Sequence, residues 1–257
     1  MYKISANTLF VGKKYIYLPS CHSTNDIADN FINSGQAVEG LTILTSNQTS
    51  GRGQRGNTWE TEPDRNLTLS VIFTPNFLNA RDQFQLNIAI SLGIFDFFSG
   101  FLGSGLKVKW PNDIFYQDSK IGGILIENLL KKNLIEYSIV GIGLNINQEK
   151  FRIQTASSLR KINRKEYNLE TCAELLLEKL EKRYLQLRSG AHEKMKQEYL
   201  NVLYKYQEDH TFYDLRSGQK VEFRGQILGI NAFGKLAIAN QNQEVVYFDF
   251  KEVSLVP

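Results

Sequence analysis

The sequence predicts an α+β protein that ends in a small all-β unit. Three observations carry this. Between residues 1 and 208, short apolar runs of period two are interspersed with longer stretches of helical period. From Thr211 the helical period is gone, and brief alternating runs are broken by Gly and Asn turns. The 257 residues suffice for one large domain and one small one, and 42% hydrophobic with 22% charged residues describes a packed core rather than disorder.

Taken in order, residues 1–18 read as one or two short strands, alternating at Tyr15-Ile16-Tyr17-Leu18 and ended by Pro19. Ser23 and Asp26 are spaced as a capping box that opens a helix. Ile27, Ala28, Phe31 and Ile32 follow at helical spacing, and Gly35 caps the C-terminal end. Leu41 to Ser46 is a strand. Asn66 to Pro75 is the next, with Leu67, Leu69, Val71 and Phe73 alternating against Thr68, Ser70 and Thr74. Residues 80–102 form a long helix whose stripe Phe84, Ile88, Leu92 and Phe95 is core. Val108 to Ile114 is a strand broken at Pro111, and Ile124 to Glu127 is an apolar run that follows Gly122 and Gly123. Ile135 to Asn147 is a buried strand, where Gly141 and Gly143 allow a flat ring or another backbone to come close. Thr171 and Glu174 form a second capping box, opening a helix that ends at Gly190. Residues 191–206 make a shorter, more polar helix. Val221 to Ile230, Lys235 to Ala239 and Val245 to Phe250 are the strands of the final unit, whose size of about 45 residues leans on a partner domain for stability.

Composition excludes several classes. Thirty Lys and Arg against 27 Asp and Glu leave a formal charge of +3, too small for a nucleic-acid binder. No apolar run reaches the ~18 residues of a membrane span. Met1 to Leu18 lacks the layout of a signal peptide. Cys21 and Cys172 are the only cysteines, which points to a reduced cytoplasm, and no Cys/His cluster suggests a transition-metal site.

The chemistry concentrates between Thr45 and Trp59. Gly51, Gly53 and Gly56 are interleaved with Arg52 and Arg55. Glycines let a backbone lie close to a ligand, and guanidinium groups grip phosphate or carboxylate with paired bonds. The spacing matches neither a Walker A sequence nor the Gly-x-Gly-x-x-Gly of a dinucleotide fold. It reads as a mobile loop that closes over an anionic small molecule. The other reading is a flexible surface loop whose arginines face water. In the same way, Ser23-Thr24-Asn25 alone reads as a helix cap, Gln48 as a loop amide and Lys120 as a solvated lysine.

The loop resembles the Gly-Arg-Gly-Arg-x-Gly loop of biotin protein ligases, enzymes that make biotinyl-AMP and pass biotin to a lysine. Further blocks extend the resemblance: Ser-Thr-Asn at 23–25, Lys-Trp-Pro-Asn-Asp at 109–113, Lys-Ile-Gly-Gly-Ile-Leu-Ile-Glu at 120–127, Gly-Ile-Gly-Leu-Asn at 141–145 and Ala-Ser-Ser-Leu at 156–159. It implies a mixed-sheet catalytic domain of the biotin/lipoate ligase type with helices on one side (1–208), and an SH3-like C-terminal barrel (209–257). It also implies that Ser23, Thr24, Asn25, Gln48, Gly51, Arg52, Gly53, Gln54 and Lys120 bind biotin. Arg52, Arg55, Gly56, Trp59, Lys120, Asn145 and Ser158 would serve ATP or the adenylate. Lys120, Arg52 and Asp113 would carry the chemistry, with Asp113 orienting the incoming lysine amine. Mg²⁺ would arrive with ATP rather than on protein side chains. The partner would be a biotin carboxyl carrier domain of a carboxylase, with no DNA or membrane; a homodimer stays open.

Two departures from the family pattern stand out. Gln54 replaces the loop's second arginine, so retention of the adenylate is either weaker or rests more on Arg52 and Arg55. Only residues 1–22 precede Ser23, and independent domains rarely fall below about 40 residues, so an enzyme without a winged-helix repressor domain is expected. The competing readings are a lipoate or octanoate ligase of the same fold and a non-catalytic biotin-binding regulator.

Overall fold

The computed structural model describes residues 4–256, apart from the side chain of Arg55. The chain runs β1 (Tyr15–Cys21), α1 (Thr24–Asn33), β2 (Thr42–Gln48), then a loop with a 3-10 turn at Gln54–Gly56, and β3 (Leu67–Phe73). Next come α2 (Phe84–Ser99) and four strands, β4 (Leu106–Lys109), β5 (Asp113–Tyr116), β6 (Ser119–Lys131) and β7 (Leu134–Leu144). Helices α3 (Leu159–Asn163), α4 (Leu169–Arg188) and α5 (His192–Asn201) lead to β8 (Asp209–Asp214), β9 (Val221–Ile230), β10 (Leu236–Asn240), β11 (Val245–Phe248) and β12 (Val253–Leu255).

The first seven strands form one sheet in the order β1-β2-β3-β7-β6-β5-β4, the last five a second in the order β11-β10-β9-β8-β12. Only β1 and β2 pair in parallel, so the larger sheet is mixed and the smaller antiparallel. The expected α+β class and the C-terminal all-β unit are both present.

Strand alternation sorts the core into two layers. Val71 and Phe73 of β3 and Val140 of β7 join the main cluster with α2 and α4, whereas Ile72 and Ile139 pack with Ala28 of α1, Leu41 and Ile43. Successive strand residues point to opposite faces. α1 therefore covers the face opposite α2 and α4, which corrects the expectation of helices on one side. α2 is apolar nearly all round because it lies between the sheet and α4 and α5.

Three local expectations also change. β1 runs on through Pro19 to Cys21. It is an edge strand, where a residue without an N–H is tolerated. Ser23 sits at the N-cap of α1 with extended backbone, yet its side chain makes no capping bond. In α4 the cap is Asn168, whose Oδ1 accepts the Thr171 N–H at 2.9 Å, not Thr171. Glu174, read as its capping-box partner, instead accepts the Ser5 N–H at 2.6 Å.

That last bond belongs to a row. Glu174, Glu178 and Glu181 fall on one face of α4 and tie down the N-terminal segment. Glu181 is 5% exposed and accepts the N–H groups of Leu9, Phe10 and Val11 at 2.6, 2.8 and 2.9 Å. Glu181→Ala leaves these donors without an acceptor, and we expect a stability loss of about 3 kcal/mol, measured as a shift of the denaturant midpoint at unchanged slope.

The C-terminal sheet is joined to this body by aromatic contacts. Phe212, Phe223 and Phe248 stack inside it, and Phe212, Ile227, Leu236 and Phe248 belong to the main core cluster. Trp110 donates Nε1–H to the Gly234 carbonyl at 2.9 Å and packs edge-on to Phe250 at 5.3 Å. Gly234, at φ +82, lies so close to the Phe84 ring that no Cβ would fit.

Candidate active site

A cavity of about 280 Å³ opens on the α1 face of the larger sheet. Its floor is made where polar or absent side chains replace apolar ones: Thr68 on β3, Gly123 on β6, Gly141 and Gly143 on β7. The start of α1, the glycine-rich loop, the β4–β5 turn and the C-terminal strand β12 form its walls.

One end is lined by neutral polar side chains, with the Glu127 carboxylate bonded behind them. Gln48 Oε1 accepts the Thr24 N–H at 2.8 Å and lies 3.3 Å from Thr24 Oγ1. Ser70 Oγ lies 2.6 Å from Asn25 Oδ1 and 2.7 Å from Thr24 Oγ1. Asn25 Nδ2 donates to Glu127 Oε2 at 2.6 Å. The Asn25 carboxamide fills the space above Gly141, so a side chain there would collide with it. Ser23, Thr24 and Asn25 are each only 3% exposed.

The middle of the cavity is flat and aromatic. The Trp59 indole lies over Gly143 and Gly123. Its Nε1 is buried without a hydrogen-bond partner.

The other end is cationic. Lys120 Nζ pairs with Asp113 Oδ1 at 2.6 Å and lies 5.5 Å from the centre of the Trp59 ring. Lys109 Nζ sits 4.6 Å from the Phe115 ring centre. Burial pushes the Lys109 ammonium below the ordinary lysine range; the Asp113 carboxylate opposes this, and the Lys120 charge adds to it. A Pro-containing turn, with a cis Trp110–Pro111 bond, carries Lys109 and Asp113 to the cavity from two adjacent strands.

Arg52 also lines the cavity, but two protein carboxylates hold its guanidinium: Asp26 at 2.7 Å and Glu127 at 3.0 Å. Gly53 and Gln54 line the rim. Among the described residues, four sequence-predicted ones are not in the lining: Gly51, Gly56, Asn145 and Ser158. Gly51 lies just behind it, with no room for a Cβ beside Trp59 O and Gln48 Nε2 at 2.6 and 2.7 Å. Gly56, at φ +85, is exposed on the far side of the loop. The Arg55 side chain is outside the described residues. Asn145 follows β7, its N–H on Ile121 O of β6, and Ser158 stands at the start of α3. Asn145 Nδ2 donates to Ser157 O at 3.0 Å, and Ser158 caps α3 while its Oγ donates to Gln148 O at 2.6 Å. Their segment touches Lys120 through its backbone, with Lys120 N–H on Thr155 O at 2.7 Å and Ser157 N–H on Lys120 O at 2.9 Å.

Thr68, Ser70, Lys109, Asp26 and Glu127 join the site without having been singled out as site residues. A signal existed for the first two. The polar positions of β3 carry only hydroxyls and no charge, which suits a lined cavity better than open solvent. Among the described residues, no group of three or more His, Cys, Asp and Glu side chains could hold a metal ion, and no helix is long and apolar enough to cross a membrane.

The architecture and the site define a ligase family. Residues 17–145 match the biotin/lipoate A/B protein ligase family, and the chain belongs to it. Among its relatives is the bifunctional ligase/repressor BirA of Bacillus spizizenii, 28% identical over 147 residues, which cover 57% of this chain and 45% of that protein. Another is the biotin–[acetyl-CoA-carboxylase] ligase of Mycobacterium tuberculosis, 27% identical over 161 residues, covering 61% and 59%. The matched part thus spans about half the length of these curated relatives. In fold, the chain is similar to the biotin protein ligase of Aquifex aeolicus in complex with biotin and ATP, at a TM-score of 0.77 and 22% identity over 95% of this chain and 99% of that one.

Proposed function

We propose that this chain activates biotin with ATP and transfers it to a lysine of a biotin carboxyl carrier protein. The observation that carries this reading is the order of chemistry along one cavity: neutral amides and hydroxyls, then an indole, then an ammonium group. Such a cavity suits an elongated acid with an uncharged polar head, an apolar stem and a carboxylate tail. A ureido head finds donors and acceptors in Thr24, Asn25 and Gln48, with Ser23 at the entrance. The stem lies against Trp59, and the carboxylate meets Lys120. Relatives named as biotin ligases, and the similar structure with biotin and ATP, support the same assignment.

The chemistry has two steps. A carboxylate oxygen of biotin attacks the α-phosphorus of ATP and pyrophosphate leaves. The amine of the acceptor lysine then attacks the acyl carbon, loses a proton and displaces AMP. Lys120 neutralises charge where two anions meet, and Lys109 adds a second cation nearby. Asp113, paired with Lys120, orients the incoming amine. The glycine-rich loop, with Arg52, Gly53 and Gln54 at its rim, shields the mixed anhydride from water. Mg²⁺ enters as the counter-ion of the nucleotide phosphates. Residues 1–208 act as the catalytic unit, and residues 209–257 as a cap along one wall. Two free cysteines, Cys21 and Cys172, suit a reducing cytoplasm.

The test is direct. With ATP, Mg²⁺, biotin and a carrier domain, the carrier should gain the mass of one biotinyl group, and omitting ATP should abolish the gain. A chain that binds lipoate in preference to biotin, or that shows no ATP–pyrophosphate exchange with biotin, does not fit the proposal.

A further inference from the structure

We infer that Asp26 and Glu127 are positioning residues for Arg52, forming a clasp that holds the glycine-rich loop across the cavity mouth and ties it to the cavity's polar end. Its functional readout rests on the ligase reading, whereas the clasp itself does not.

The loop closes on its own backbone. Gly53 N–H donates to Asn57 O at 2.7 Å, and Trp59 N–H to Gly51 O at 2.9 Å. These bonds shape the turn but do not set its position over the sheet. The Trp59 indole seats the end of the loop over Gly143 and Gly123, and the Arg52 side chain ties down the turn before it. Glu127 on β6 takes Nη1 and Nη2 as a fork at 3.1 and 3.0 Å, and Asp26 in the first turn of α1 takes Nη2 at 2.7 Å. A forked pair fixes the guanidinium plane as well as its distance. One side chain thereby bridges the loop to two separate walls.

The second link leads inward. Glu127 Oε2, which holds Arg52, also accepts Asn25 Nδ2 at 2.6 Å, and Asn25 Oδ1 lies 2.6 Å from Ser70 Oγ. The chain Ser70–Asn25–Glu127–Arg52 joins β3, beneath the polar end of the cavity, to the loop. A ligand that engages Asn25 acts on the carboxylate that holds the loop down. Arg52, Asp26 and Glu127 are 44%, 52% and 36% exposed, so the clasp is open to screening by salt.

The experiment uses the full chain and the variants Asp26→Asn, Glu127→Gln and the conservative Asp26→Glu. In the ligand-free protein, amide hydrogen exchange across residues 51–59 should rise about threefold to fivefold in Asp26→Asn and Glu127→Gln. It should return toward wild type in Asp26→Glu. Raising NaCl from about 0.05 M to about 0.5 M should speed wild-type exchange and change Asp26→Asn less. The thermal midpoint should move by no more than about 4 °C, since the loop and not the core is loosened. With biotin and ATP present, adenylate lost as free biotin and AMP should rise by the same factor. Wild-type exchange rates in both variants overturn the clasp, even if the wild-type chain makes adenylate. Faster exchange in a chain that makes no adenylate keeps the clasp and removes the ligase reading.

Discussion

Lys120→Ala is expected to slow biotin-dependent ATP–pyrophosphate exchange by about a hundredfold to a thousandfold. Its ammonium group lies between the Asp113 carboxylate at 2.6 Å and the Trp59 ring at 5.5 Å, so it faces the cavity and is already oriented. Joining a carboxylate to a phosphate concentrates negative charge at the point of contact, and a preorganised cation there stabilises the transition state more than the separate reactants. The same substitution leaves Asp113 as an unpaired carboxylate at the rim, which adds repulsion toward the anionic substrates. The polar end of the cavity is untouched, so biotin affinity should fall less than the exchange rate. Titration calorimetry alongside the exchange assay separates the two. An unchanged exchange rate would remove Lys120 from its proposed role.

Gly143→Ala should be the second severe change. A Cβ built there lies 2.6 Å from Cζ2 and Nε1 of Trp59. The backbone cannot retreat, because Gly143 is paired with Thr68 on one side and Gly123 on the other in the middle of the sheet. The indole must therefore leave its place over the sheet, and with it the flat wall of the cavity. We expect biotin affinity to drop at least about tenfold, the scale of losing one good apolar contact surface. Stability should fall by about 1–3 kcal/mol, as for other overpacked sites. Biotin titration and the denaturant midpoint check both. Wild-type affinity in a folded variant would mean that Trp59 does not wall the ligand.

Much of the proposed site was legible through the family resemblance, because the motifs that carry it are local in sequence. The glycine–arginine loop, Ser23-Thr24-Asn25, and the Lys-Trp-Pro-Asn-Asp segment each carry their chemistry within a few neighbouring positions. Ser70 was legible only as one of the uncharged polar positions of β3. It reads as the polar half of an alternating strand, and alternation cannot say whether the polar side meets water or a cavity. Asn145 and Ser158 lie in recognisable segments outside the cavity lining; the Asn145 backbone N–H bonds Ile121 O, while Ser158 caps α3 and bonds Gln148 O.

The sequence by itself determined the α+β class, the presence of an all-β C-terminal unit and most of the helices and strands of the larger domain, although α3, β8 and β12 were not legible in it; the roles of the loop and of Lys120 came from the family resemblance. Periodicity encodes those elements within a few turns or strand repeats. Only the tertiary structure decided which face of the sheet α1 covers, that Asn168 and not Thr171 caps α4, and that Arg52 is held by Asp26 and Glu127. Those outcomes depend on strand register and on pairing across 26 and 75 positions between the partners of one guanidinium. Such pairing leaves no periodic trace in the chain, because it is settled by which surfaces meet when the sheet closes.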